Sequence, residues 1–435
     1  MSLDQQLSAS ERSRAWGTRF RVRELLARSL VVVPCLYIAL ALALGELVPV
    51  IEGNHDLLSL GLDPDTARTI LSAVASGMIA FAGLVVSIAI VVVQFGASQY
   101  TPRLVARFRS DPIVKHALGV FVAPTVFALV SLRNIGRNHS RVVPSLTVVL
   151  NLVLVIAALV VFFILVSRLL DLMRPRRVIA QVVERAGHAI RETYPFALGQ
   201  SPALRRPEIA PVTVEVRYEG RARVLSALDR GRIVRIASAA GVVVEVARGI
   251  GAFVPSGATL FLVHGSAERL DVNDLRRAAI LAEERTITQD PAFAIRALVD
   301  VALRALSPAV NDPTTAVHVL DGINELLIEL APRDLERGRI ADEHGTLRLV
   351  YPNPSWTELL DLSLTEVRVY GANSPQIARR LRALLDSLAE TAPDVCQPAI
   401  DAQLQRLDAA VRAAYPDPVE RGHAQQADPV GIGGA

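Results

Sequence analysis

Lysine is almost missing from this chain: Lys115 is the single lysine among 46 basic residues. The skew reads as GC-rich codon usage rather than selection for guanidinium chemistry. Cysteine is scarce as well. Cys35 lies in an apolar run and Cys396 far from it, which supplies neither a disulfide framework nor a metal-spaced set. No cofactor and no metal are implied. The sequence also lacks His-Glu-x-x-His, Gly-x-Ser-x-Gly and a glycine-rich phosphate loop ending in lysine, so no catalytic residue is assigned and an enzyme is the weakest class. Net charge is only +3, and the basic side chains cluster beside apolar segments instead of forming one stripe, which argues against nucleic acid. Membrane lipid is the expected anionic neighbour.

What the sequence does have is long runs without charge: Leu30 to Gly45, Thr69 to Thr101, His116 to Leu132 and Val142 to Ser167. At 1.5 Å per residue these can cross about 30 Å of hydrocarbon. Four transmembrane helices are predicted. Ala41-Leu42-Ala43 has the look of a cleavage signal, but the basic stretch before it is too long and three spans follow, so the first span reads as retained. Arginine and lysine near the span ends (Arg12 to Arg28, Arg103 to Lys115, Arg174 to Arg177) mark cytosolic sides, and Glu46, Glu52, Asp56, Asp63 and Asp65 mark an outer loop. The expectation is a multi-pass inner-membrane protein with both termini cytosolic. Arg133, Arg137 and Arg141 fall on the outer side, either to bind outer-leaflet phosphates or to ring an outer mouth. No charged side chain lies in the middle of any span, which disfavours a proton relay.

In the second span Ser72, Ser76, Ala80, Gly83, Ser87, Gln94 and Ser98 recur at steps of three, four and seven, which places them on one stripe of one helix. Small residues let helices approach closely in lipid, so the stripe reads as a packing seam. The alternative is a water-filled path lined where several subunits meet. Asn151 in the fourth span calls for a partner, Thr125 or a neighbouring subunit.

After Arg177 the pattern changes. The expected organisation is a basic segment (1–28), a four-helix transmembrane domain (29–170), a helical linker (171–211), a small β-barrel (212–268), a cytosolic helical domain (269–415) and a disordered tail (416–435). The overall class is thus an α-helical membrane domain followed by an α+β region. Val212 to Val216, Arg232 to Ile236, Val242 to Val246 and Leu260 to Val263 read as the barrel strands. The run from Gly241 to Leu260 resembles the barrel-sandwich pattern of biotinyl and lipoyl carriers, but those need a lysine at a hairpin tip and none is present. Helices are predicted from Asp271 to about Arg285, from Asp290-Pro291, from Asp312-Pro313, from Ser374-Pro375 and over Ile400 to Tyr415, the Asp-Pro pairs giving an N-cap and a first-turn proline.

The densest polar cluster surrounds the two Asp-Pro starts: Glu284, Arg285, Thr286, Gln289, Asp290, Arg296, Asp300, Ser307, Asn311, Asp312, Thr314, Thr315 and His318. Two helix N-termini facing a common space would suit a small anion. The simpler account is that Asp290 and Asp312 cap their own helices while Arg285 and Arg296 pair with nearby acids. His318, near Asp312 and Asp300, is an acid–base candidate, though a lone histidine on a helix is more often structural.

The run from Arg285 to Ala316, with its Ser-Pro-x-x-Asn-Asp-Pro core, and Val-Val-Val-Gln-Phe-Gly-Ala-Ser-Gln-Tyr-Thr-Pro-Arg-Leu at the end of the second span resemble a bacterial family of membrane proteins, domain of unknown function 2254. The resemblance covers roughly Ser29 to Leu388. It implies location and architecture, without an activity or cofactor. Two functions follow for weighing: a homo-oligomeric channel or transport-related pore controlled by its cytosolic domain, and a membrane-anchored ligand sensor or scaffold.

Overall fold

The computed structural model describes residues 31–54, 62–99, 112–137, 145–172, 174–200, 210–335 and 338–429. The basic N-terminal segment, Arg103, Arg107, Arg109, Arg141 and residues 201–209 of the linker lie outside the described residues, as do the side chains of Ser98 and Arg137. The chain divides into two compact units, 1–174 and 175–435.

Among the described residues the first unit holds four long helices, α1 (Val32–Asn54), α2 (Pro64–Gln99), α3 (Pro112–Arg137) and α4 (Ser145–Leu172). Each is long and apolar enough to cross a membrane. α3 packs against the other three. It approaches α1 closely because Gly45 sits on Val130, where an added Cβ would lie 2.9 Å from the valine, and because Gly119 lies under the Tyr37 ring; in lipid, small residues of this kind are what allow backbones to close up. Further along, Phe81 meets Phe121 and Phe162 edge-on, with centroids 5.5 and 5.2 Å apart. Met78, Val85, Ala117, Ala158 and Leu165 fill the space around them.

The second unit begins with α5 (Pro175–Thr193), whose Ile179, Val182, Val183, Ala186 and Ile190 are buried at helical spacing. Then come β1 (Val212–Arg217), β2 (Arg223–Leu228), α6 (Arg230–Ala240), β3 (Val243–Val246), β4 (Phe253–Val254), β5 (Thr259–His264), α7 (Val272–Arg277) and β6 (Ala279–Ala282). α8 (Pro291–Ala305), α9 (Pro313–Leu330), β7 (Arg339–Ala341), β8 (Leu347–Val350), α10 (Trp356–Gly371), α11 (Pro375–Thr391), α12 (Gln397–Ala414) and α13 (Pro418–Gln425) complete it. α5, α8 and α9 pack on one another, with α10 against α8 and α11 against α9.

Among the described residues the expected closed barrel is not formed. The strands make two open sheets, one of five strands in the order β1-β5-β3-β8-β7 and one of three in the order β4-β2-β6. Two causes are visible. Arg232 to Ile236, expected as a strand, lies within α6, where Asp229 caps the first turn and Gly241 (φ +71°) closes the last. The place beside β3 is taken by β8, in parallel, from a hundred residues further on. Ile233 and Ala237 of α6 then bury themselves against Val244, Phe261 and Leu349.

The helix expected over Asp271 to Arg285 ends at Arg277, because Ala279–Ala282 pairs with β2 as a strand. The tail, expected to be disordered from 416 on, carries α13, capped by Asp417.

Candidate functional site

On α2 the buried line is Leu71, Ala75, Met78 and Val85, which face the rest of the bundle. Ser72, Ser76, Gly83, Ser87 and Gln94 are all exposed on the protomer surface. The stripe therefore is no seam between helices of one protomer. Ser76 Oγ donates to Ser72 O at 2.9 Å and Ser87 Oγ to Gly83 O at 2.9 Å, so both hydroxyls are satisfied within their own helix. A Cβ at Gly83 would meet nothing within 4 Å.

Asn151 is fully buried, yet neither atom of its amide has a hydrogen-bond partner. The expected bond to Thr125 is not made, although Thr125 is also buried. Arg133 forms an ion pair with Glu46, and Asn134 Nδ2 donates to Gly45 O at 3.1 Å and Glu46 Oε2 at 3.0 Å. Arg133 thus ties α3 to α1 and is not a free member of a charged ring.

In the second unit the sequence-derived cluster splits apart. Asp312 N bonds to Ala305 O at 2.8 Å, at the C-terminal end of α8, whereas Asp290 caps its N-terminal end. A 15-residue helix is about 22 Å long, so the two N-termini do not face a common space. Each aspartate does cap its own helix: Phe293 N donates to Asp290 Oδ1 at 3.0 Å, and Thr315 N to Asp312 Oδ1 at 3.0 Å, with Thr315 Oγ1 on Oδ2 at 2.5 Å. Asn311, just before, has φ +45°, and the short polar side chain tolerates this left-handed turn. Arg296 Nε meets Asp300 Oδ1 at 2.7 Å and its fork closes on Glu366 of α10. Thr314 is exposed and His318 half-buried on α9.

Around Asp290 the residues do converge. Arg285 donates to Asp290 Oδ2 through Nη2 at 2.7 Å and Nε at 3.1 Å. Gln289 bonds both ways to Leu228 of β2, accepting from N at 3.0 Å and donating to O at 3.3 Å, and Thr286 Oγ1 lies 3.2 Å from Ser226 Oγ. Gly251 adopts φ +86° against the pair, and any Cβ there would strike the Arg285 guanidinium and Asp290. Burial pushes the Asp290 carboxyl up, against the pull of Arg285 and of the Phe293 amide.

Three residues that the sequence did not single out border the same place. Tyr194 follows α5, Arg230 opens α6 and Tyr351 follows β8. Arg230 Cζ lies 4.7 Å from the centroid of the Tyr351 ring. Burial drives the Tyr194 phenol far up, and Tyr351 and Asp290 add to the effect while Arg230 opposes it, so all three lie close enough to act on Tyr194. Asp229 and Gly241, bracketing Ile233 and Ala237, were the signal that a helix starts at Arg230. Nothing local shows what that arginine meets.

Four apolar helices followed by a mixed helical and sheet unit define a membrane protein with several spans. The chain belongs to the family described as "Predicted membrane protein (DUF2254)", whose model matches residues 27–387. It is similar to uncharacterized proteins of Mycobacterium bovis and of Mycobacterium tuberculosis strain H37Rv, 26% identical to each over 403 residues, which are 90% of this chain and 77% of the relative. No solved structure matches it.

Proposed function

We propose that the protein is a subunit of a homo-oligomeric pore for small ions, lined by α2 and controlled by the second unit. The observation that carries this reading is the outward stripe of Ser72, Ser76, Gly83, Ser87 and Gln94, left uncovered by the protomer. A lipid-facing helix has no use for such a stripe, since neighbouring copies or water are what small and hydroxylic side chains serve at membrane depth. Ser76 and Ser87 bond to their own backbone, so the face can pack dry or turn its hydroxyls toward a hydrated ion. No charged side chain interrupts α2 between Arg68 and Gln99, which suits passive permeation better than a proton-coupled cycle.

The orientation that accompanies this reading puts both termini in the cytosol. The acids Glu46, Glu52, Asp63 and Asp65 gather where α1 ends and α2 begins, and Arg174, Arg176 and Arg177 follow α4. An impermeant thiol reagent added to intact cells should label a cysteine replacing Asp56 and spare one replacing Arg176.

The function itself is tested by flux of chloride, potassium and sodium, measured separately, through purified protein in liposomes. Selective flux that disappears in Ser87→Leu, with the oligomer intact, is the expected result. Absence of flux for all three ions from a well-folded oligomer overturns the pore and favours a sensor or scaffold without transport.

A further inference from the structure

We propose that the second unit binds a small oxyanion, a carboxylate or phosphate group, on Arg230 between Tyr194, Tyr351 and the Arg285–Asp290 pair. Arg230 Nε and Nη2 are buried and have no hydrogen-bond partner. Arg232, Arg348, Arg380 and Arg382 are matched by Asp274, Asp342, Asp321 and Asp408; Arg368, Arg380 and Arg382 leave one buried nitrogen each unmet, their Nε, whereas Arg230 leaves two on the same edge. Burying a guanidinium without an acid is costly, and a fold that keeps one has a site waiting for its counter-charge.

The nearby acid is already taken. Asp290 spends one oxygen on two bonds from Arg285 and the other on the Phe293 amide. With Arg230 and Arg285 positive and Asp290 negative, the group carries one positive charge in excess. A singly charged oxyanion would balance it.

The unmet donors also define the shape of the ligand. Nε and Nη2 form one edge of the guanidinium, and that edge delivers two parallel N–H groups to two oxygens of one carboxylate or phosphate. The face of the same guanidinium rests on Tyr351, which fixes its plane, while its Nε–Nη2 edge stays buried and unpaired. Tyr194 and Tyr351 are 3% and 6% exposed. On the other side, the turn holding Gly249 and Gly251 reaches from Pro352 to the Arg285–Asp290 pair. An oxyanion on Arg230 would thus touch segments from α5, α6, the turn after β3 and the end of β8, which gives it a means of changing how the second unit is held together.

The test uses full-length protein in detergent and inorganic phosphate as probe, with sodium chloride at matched ionic strength as control. In phosphate-free buffer Arg230→Met should melt at or above the wild-type temperature, because an uncompensated buried charge has been removed. A clear fall there means that the arginine has a structural partner and overturns the proposal. Adding phosphate should raise the melting temperature of the wild type by about 2 °C or more and leave Arg230→Met unmoved, with Arg230→Lys in between because it keeps charge but loses the fork. Equal shifts in wild type and Arg230→Met, or no shift in either with phosphate or acetate, overturn it as well. Native mass spectrometry after incubation with phosphatidylglycerol separates the sources: a lipid retained by the wild type and lost in Arg230→Met assigns the phosphate to a headgroup, whereas a phosphate shift with no retained lipid assigns it to a soluble ligand. The readouts concern binding and melting, so they stand or fall apart from ion flux.

Discussion

Glu52, near the end of α1, caps the start of α4 through Thr147: its Oε2 accepts from Thr147 Oγ1 at 2.8 Å and from Thr147 N at 3.2 Å, while Oε1 accepts from Leu146 N at 2.5 Å. The carboxylate is 3% exposed. It meets two of the N–H groups that every helix start leaves without partners, and it places negative charge at the positive end of the α4 dipole. Glu52→Ala should lower stability by about 1–3 kcal/mol, read by thermal unfolding in detergent, and Glu52→Gln by less. Wild-type melting in Glu52→Ala would show that the cap contributes nothing.

Asn151 gives the opposite sign. Its amide is buried with both polar atoms unmet, a cost not recovered inside the protomer. Asn151→Leu, of similar size, should therefore raise stability by about 1 kcal/mol, measured by the same melts. A fall would mean that the amide is met by water inside the helix bundle, since Asn151 is closed off within the protomer.

Local signals in this chain read well, and distant ones do not. Asp290-Pro291 and Asp312-Pro313 open helices as expected, because the cap and the first-turn proline act within four residues. The strand expected at Arg232 to Ile236 fails because β-branched residues sit equally well on a buried helix face, and the packing of Ile233 onto the sheet decides. The partner of β3 was beyond reach of any local pattern, since β8 arrives after two long helices. The site follows the same rule. The caps, and a pairing of Arg285 with some nearby acid, were visible in the sequence, whereas Tyr194, Arg230 and Tyr351 meet only once α5, α6 and β8 are in place.

Asp342 predicts a pH dependence. Arg348 Nε at 2.8 Å, then the amides of Thr346 and His344 at 3.0 Å and Ser238 Oγ at 3.2 Å, hold its carboxyl down to about 2, against some desolvation. A carboxyl lowered in the folded state stabilises above its ordinary value near 4, and the contribution disappears as pH falls from there through 2. The gap in melting temperature between wild type and Asp342→Asn should thus be full at pH 6 and shrink toward pH 2. A gap that stays constant over this range would remove the ionised carboxylate from the account.

Arg296 and Glu366 separate structural arginines from the proposed oxyanion site. Arg296 bonds to Asp300 and closes a fork on Glu366, joining α8 to α10. Hydrogen bonding from Arg296 lowers the Glu366 carboxyl, and Glu366 raises the Arg296 guanidinium in return. The side chains are 29% and 45% exposed, so solvent screens the pair, and a double-mutant cycle of Arg296→Met with Glu366→Gln should give a coupling of only about 0.5–1 kcal/mol. Because Arg296 is already committed to two acids, Arg296→Met should keep the full phosphate-induced rise in melting temperature that Arg230→Met loses. Loss of the rise in Arg296→Met together with its persistence in Arg230→Met would move the oxyanion from Arg230 to the α8–α10 junction.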